Sequence, residues 1–189
     1  MMTCPTNIEE LSLRFNSDEF FDFIFFWGHK PKTRGMVDHH CLSQWFAASF
    51  EISGITYPTA EHFMMAEKAR LFGDTATLKE ILMAKDPQAV KILGRKITGF
   101  VDSIWKQHRF DIVIKGNIAK FSQNPSLNNY LRLTERKILV EASPYDSIWG
   151  IGVSEHEDAA HNPNLWQGLN LLGFAIMVTR SRLFNIQTS

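Results

Sequence analysis

The chain has 189 residues, 44% of them hydrophobic and 21% charged, the proportions of an ordinary globular protein rather than a disordered or fibrous one. Lys+Arg and Asp+Glu both number 20, so the formal net charge is zero, which argues against a broad electrostatic footprint for duplex nucleic acid or an anionic membrane. A local pocket for one or two phosphates needs only a few basic side chains and is compatible with that balance. The length suits one domain, residues 1–189 with a core from about 20 to 184.

Two cysteines, Cys4 and Cys41, allow at most one bridge, fewer than a secreted framework of this size carries, so a reducing, cytoplasmic setting is expected. No stretch reaches the roughly 18 consecutive apolar residues of a membrane span. Met1 to Arg14 has no basic region followed by an apolar core, so neither a secretory leader nor a membrane partner is expected. The sequence leaves the oligomeric state open.

In chain order, Asn7 caps a short helix through Phe15, with Glu9 and Glu10 placed favourably in its first turn. Phe20 to Trp27 is an aromatic-rich run suited to a buried strand. Gly28 to Thr56 is rich in turn formers and histidine, and reads as a long irregular excursion with a hairpin around Gly54. The first strong helix begins near Pro58 and stops before Gly73. Asp74 caps a helix over Thr75–Lys85, Asp86-Pro87 starts another that ends near Gly99, and Asp102 caps a long helix to Phe121. A short helix follows Asn124-Pro125 through Leu133, then a strand at Lys137–Glu141. Ser143 to Asn164 is loop-like, and a largely apolar helix spans about Leu165 to Phe184. The expected fold class is mainly α, a compact helical domain with a few short β-strands.

Two clusters carry chemistry. Glu61 and Lys68, seven positions apart on one helix, share a face roughly 10 Å apart along its axis. A lysine among apolar groups such as Met64 and Met65 can be held neutral, and a neutral amine attacks an anomeric carbon. A carboxylate on the same face could hold a ribose hydroxyl or move a proton. The alternative is a pair of solvated charges on an amphipathic helix.

The second cluster runs from Glu141 through Asp146 to Trp149, Gly150 and Gly152. A carboxylate ends a strand, a second follows, and a Trp meets a Gly-x-Gly turn whose amides could approach a ligand while the indole stacks on it. An ordinary turn around a buried Trp is the competing explanation. Five tryptophans (Trp27, Trp45, Trp105, Trp149 and Trp166) exceed the needs of the core, and one or two facing a pocket would suit a flat heterocycle. His29 and His62 are hydrogen-bonding residues with a claim to ligand contact. His39-His40-Cys41 invites a metal, but adjacent side chains do not converge as i,i+4 ligands do, so no metal is expected. No other cofactor is expected, because the chain lacks the phosphate loops and nucleophile elbows of the common NTPases, dehydrogenases and hydrolases.

The ordered set Phe25-Phe26-Trp27-Gly28, Leu42-Ser43-Gln44-Trp45-Phe46, Tyr57 to Lys68, Gly94-Arg95, Trp105, Lys120-Phe121, Leu139-Val140-Glu141, Asp146, Trp149 to Gly152 and Gly168 to Gly173 covers most of the chain. It resembles the NADAR, or YbiA-like, family, and the Glu-His…Lys helix and the Asp-x-x-Trp-Gly segment are its specific parts. The resemblance implies a compact helical fold and an N-glycosidase that cleaves a base–ribose bond. Its substrate would be a small phosphorylated ribosyl–base compound such as an early pyrimidine intermediate of riboflavin synthesis, or ADP-ribose linked to guanine. It implies that Lys68 forms a Schiff base with the ribose and that Glu61 holds the ribose or transfers protons. Glu141, Asp146, Trp149 and Asn170 would line the pocket. Trp27, Gly28, His29, Trp105 and Gly150 complete the expected substrate contacts, with Arg95 on the phosphate. A nucleic acid substrate is possible but not favoured by the net charge. A non-catalytic nucleotide-binding module is the alternative of a different class.

Overall fold

The computed structural model describes residues 4–33 and 35–185. It is 51% helical, with seven α-helices and a few short strands among the described residues, which is the fold class expected. The elements are α1 (Ile8–Phe15), β1 (Phe23–Phe26), β2 (Phe50–Ile52), β3 (Ile55–Tyr57), α2 (Ala60–Leu71), α3 (Thr75–Met83) and α4 (Pro87–Gly94). They continue with α5 (Asp102–Gln123), α6 (Pro125–Leu133), β4 (Ile138–Glu141) and α7 (Leu171–Phe184). Short 3-10 turns lie at His39–Leu42, Asp158–His161 and Pro163–Leu165. The chain divides into two compact units, Gln44–Pro125 and the flanking segments Met1–Ser43 with Ser126–Ser189.

The unit Gln44–Pro125 is organised around α2, which packs on α3, α4 and α5. Residues Ala60 to Ala66 and Ala69 are all buried, so the helix has no solvent face over its first two turns. Such a helix needs close neighbours on every side. Gly116 lets α5 approach to where an added Cβ would lie 2.6 Å from the Phe63 ring. Gly94 lets α4 approach so closely that a Cβ there would overlap the Met65 sulfur. The hairpin of β2 and β3 closes through Ser53 and Gly54, both with positive φ, the two-residue turn that matches strand twist. Its Tyr57 ring meets Phe63 of α2 edge-on at 5.2 Å.

In the flanking unit, Asn7 caps α1 by accepting the Glu10 amide at 2.8 Å, as expected. β1 and β4 pair in parallel, Phe23 beside Ile138 through Phe26 beside Glu141. β4 is buried through Val140, and α7 packs against it. Arg180, 1% exposed, is anchored from α7 by donating to the Thr134 hydroxyl at 2.7 Å and the Lys137 carbonyl at 3.0 Å. Buried guanidinium needs such acceptors to offset lost hydration.

Several boundaries differ from the expected ones. Thr59, not Pro58, opens α2: its hydroxyl accepts the His62 amide, and Pro58 precedes the cap. α4 stops at Gly94 rather than near Gly99, and beyond it the Thr98 amide is taken by Asp74. The last helix begins at Leu171 instead of about Leu165, because Asn170 sits in the left-handed region at φ 50° and cannot continue a right-handed helix. Asp102 is the first helical residue of α5 and does not cap it; it pairs instead with Lys106 at 2.7 Å. No helix among the described residues is long and apolar enough to cross a membrane.

The tightest approach in the flanking unit is at Gly173, where an added Cβ would overlap the Leu139 carbonyl oxygen and crowd the Asn170 carboxamide. Both neighbours are held by hydrogen bonds and cannot retreat. Gly173→Ala is expected to cost about 3 kcal/mol or more, read as a lower midpoint in urea unfolding against wild type.

Candidate active site

Lys68 lies in the last turn of α2, half-buried, and its ammonium is accounted for on three sides. Nζ donates to the Gly94 carbonyl oxygen at 2.8 Å. It also lies 4.4 Å from the centre of the Phe100 ring and 5.6 Å from that of Trp105. The Gly94 carbonyl is an orphan acceptor at the C-terminus of α4, and the close α2–α4 crossing brings it within reach. Burial pulls the Lys68 amine below the ordinary lysine range, while the charge of Glu61 pushes the other way. Burial is the larger effect, so this amine gives up its proton more readily than a solvated lysine.

Glu61 stands in the first turn of the same helix and is 4% exposed. Its backbone amide donates to the Gln44 carbonyl at 3.0 Å. The amphipathic alternative therefore does not describe this helix, since neither Glu61 nor Lys68 is a solvated surface charge. His62 is 1% exposed and bonded through both ring nitrogens, to the Thr59 hydroxyl at 2.8 Å and to the Ala84 carbonyl at 3.3 Å. It holds the start of α2 rather than a ligand. Arg95 is exposed at the C-cap of α4, directly after the carbonyl that holds Lys68. Trp105 is 8% exposed and serves as one wall around the Lys68 amine.

The remaining sequence-derived residues gather in the flanking unit, at the C-terminal ends of β1 and β4. Asn170 is the hub: its carboxamide oxygen accepts the Glu141 amide at 2.9 Å and its nitrogen donates to the Leu139 carbonyl at 2.9 Å. It thereby acts as a substitute strand partner along β4. Asp146 folds the next turn by accepting the amides of Ile148 and Trp149 on one oxygen, at 2.9 and 2.8 Å. Gly150 is packed so tightly that a Cβ would lie 2.8 Å from the Glu141 carbonyl and 2.9 Å from that of Asp146. Its glycine is explained by chain packing without a ligand. Trp27, 51% exposed, tilts against the exposed Tyr145 ring at 6.0 Å.

Gly28 and His29 lead away from β1 toward the His39–Leu42 turn. A Cβ on Gly28, which has φ 81°, would lie 3.7 Å from the His40 ring. Burial, then the charges of Lys30 and His40, lowers the proton affinity of His29. The neighbouring histidines do come together: the rings of His39 and His40 stack at 4.2 Å, and Asp38, His39 and His40 bring three potential ligand atoms within 4.8 Å of one another. Chain adjacency does not keep them apart, because the 3-10 turn swings both rings to one side. The Asp38 carboxylate is already occupied by the Lys32 amide, the His40 amide and the His40 ring.

A family model described as the NADAR domain matches residues 25–184. The chain belongs to the NADAR family. The N-glycosidase R617 of Acanthamoeba polyphaga mimivirus is 42% identical over 84% of this chain and 94% of its own. The chloroplastic riboflavin biosynthesis protein PYRR of Zea mays is 34% identical over 68% of this chain, which corresponds to 20% of that larger protein. The solution structure of YbiA from Escherichia coli superposes with a TM-score of 0.66 at 26% identity, covering 86% of this chain and 84% of YbiA. With its N-glycosidase relatives, this NADAR chain is a hydrolase acting on N-glycosyl bonds.

Sequence reasoning missed Phe100, the Gly94 carbonyl and Asp74. Phe100 falls in the loop between α4 and α5, where no periodicity assigns a face, and a carbonyl leaves no mark in side-chain patterns. Asp74 was legible as a helix cap, and nothing in its spacing from Thr98 announced a second partner. In the flanking unit the Asp146 turn gives a direct test. Asp146→Ala should speed amide hydrogen exchange at Ile148 and Trp149 about tenfold, whereas Asp146→Asn, which keeps the acceptor oxygen, should not.

Proposed function

We propose that this NADAR protein hydrolyses the bond between the base and the ribose of a small phosphorylated ribosylamino-pyrimidine, with Lys68 as the nucleophile. The observation that carries the proposal is the setting of the Lys68 amine. It is half-buried, bounded by Phe100, Trp105 and the Gly94 carbonyl, and placed on the same helix as a buried carboxylate. A binding module has no need of an amine held in this way. A nucleophile does, because only the neutral amine carries the attacking electron pair.

The chemistry balances as follows. The neutral Lys68 amine attacks the anomeric carbon, and the carbon–nitrogen bond to the base breaks. The base leaves with that electron pair and takes up a proton. The attached nitrogen loses a proton and its electron pair forms the imine with the anomeric carbon, while the bond from that carbon to the ring oxygen breaks and the oxygen takes up a proton. Water adds to the imine carbon, and release of Lys68 gives free base and ribose phosphate. Glu61, whose charge acts on the Lys68 amine, is the group suited to hold the ribose or carry these protons. Arg95, exposed beside Gly94, is the cation suited to the phosphate.

The pyrimidine substrate is supported by the riboflavin-biosynthesis name of the maize relative. One family model matching residues 25–184 supports treating the chain as one functional domain. Both cysteines are buried thiols, which fits the reducing, cytoplasmic setting proposed from the sequence.

The test is product analysis with ribosylamino-pyrimidine phosphate and, in parallel, ADP-ribosylated guanosine. Wild type should release base from the first. Lys68→Ala and Lys68→Arg should release none, and borohydride should trap a sugar adduct on wild type at Lys68. Glu61→Gln should be slowed about 100-fold. Release only from ADP-ribosylated guanosine would replace the substrate while keeping the bond; full activity in Lys68→Ala would reject covalent catalysis by this residue.

A further inference from the structure

Building on the reading of Lys68 as nucleophile, we infer that Asp74 is a positioning residue that holds the Phe100 ring over the Lys68 amine and so keeps water from it. Asp74 is the N-cap of α3 and is 7% exposed. One carboxylate oxygen does the work of a cap, accepting the Thr77 amide at 2.9 Å. The other is engaged three times: by the Thr77 hydroxyl at 2.8 Å, the Thr98 amide at 2.8 Å and the Thr98 hydroxyl at 3.0 Å. A helix cap does not require the last two.

Thr98 lies beyond α4 and two residues before Phe100. Pinning it sets the path of the loop, and Phe100 then packs edge-on against Phe72 at 5.2 Å with its ring toward the Lys68 amine at 4.4 Å. The Asp74 amide also donates to the Ala69 carbonyl at 2.9 Å, in the last turn of the helix that carries Lys68. A single residue therefore ties the Lys68 helix to the loop that covers Lys68. Phe100 is 43% exposed, so filling the core is not its role.

The charged groups around the amine are few. On its own helix Glu61 acts on it directly. α4 presents the Gly94 carbonyl, with Arg95 and Lys96 exposed beyond it. α5 presents Trp105, while its Asp102 and Lys106 pair with each other at the surface. α3 contributes Asp74 itself, whose carboxyl is held far below the ordinary range by the Thr98 amide first and then by Thr77, so the clamp is ionised at every pH used below. Shielding by Phe100 and Trp105 is thus the main influence opposing protonation, in line with burial as the larger effect on Lys68.

The test reads Lys68 directly, without any substrate. Reductive methylation with formaldehyde and cyanoborohydride is followed by mass analysis of the Lys68 peptide from pH 6 to 10. Asp74→Asn, Thr98→Val and Phe100→Ala should each move the labelling profile toward more alkaline pH, with about tenfold slower labelling at pH 7. Thr77→Val, which disturbs the same cap but leaves the Thr98 link, should keep the wild-type profile. An unchanged profile in folded Phe100→Ala, or in both Asp74→Asn and Thr98→Val, would overturn the inference, as would an equal displacement in Thr77→Val. Should Asp74→Asn not fold, Thr98→Val and Phe100→Ala decide the matter alone. A wild-type protein that releases no base would reject Lys68 as nucleophile and leave this labelling comparison intact, so the two failures are distinguishable.

Discussion

A lysine amine resting on the main-chain carbonyl of Gly94 is the contact on which the Gln44–Pro125 unit turns. An amine taken out of water must find an acceptor, and the last carbonyls of a helix are acceptors that the helix itself cannot use. To bring one within 2.8 Å of Lys68, α4 must lie close against α2. Gly94 is the residue that permits it, with Met65 filling the space a Cβ would need. α2 is buried on nearly all sides, and where it meets α5 Gly116 leaves room for the Phe63 ring.

The environment so built pulls the amine in two directions. Phe100 and Trp105 attract an ammonium through their ring faces, an effect worth about 1 kcal/mol. The same rings displace water, and the loss of hydration lowers the proton affinity of the amine more than the charge of Glu61 raises it. An amine that is anchored and gives up its proton more readily than a solvated lysine suits the nucleophilic role proposed for Lys68.

The flanking unit solves a related problem by different means. Parallel strands β1 and β4 end beside each other, and the backbone at the end of β4 must be satisfied without a third strand. Asn170 supplies both a donor and an acceptor to it, and does so from a left-handed conformation that only a few residue types adopt readily. Gly173 then gives the carboxamide room to lie against β4. The Asn and Gly in the segment Gly168 to Gly173 are thus explained by backbone accounting, and the turn carrying Asp146 and Trp149 is set upon that frame.

What the sequence by itself determined is local. Asn7, Asp74 and Asp86 mark helix starts through oxygens that reach amides three residues on. Ser53-Gly54 marks the hairpin, and seven-residue spacing puts Glu61 and Lys68 on one helix. The ordered motifs carried the family. What only the tertiary structure decided is how those groups are surrounded. The burial of Glu61, the carbonyl under Lys68, the Phe100 cap and the second set of partners for Asp74 all join residues distant in sequence or borrow backbone atoms. The stacking of His39 on His40 and the left-handed Asn170 likewise depend on backbone torsions. Side-chain spacing reports which residues share a face of an element; it holds no record of what another element brings against that face.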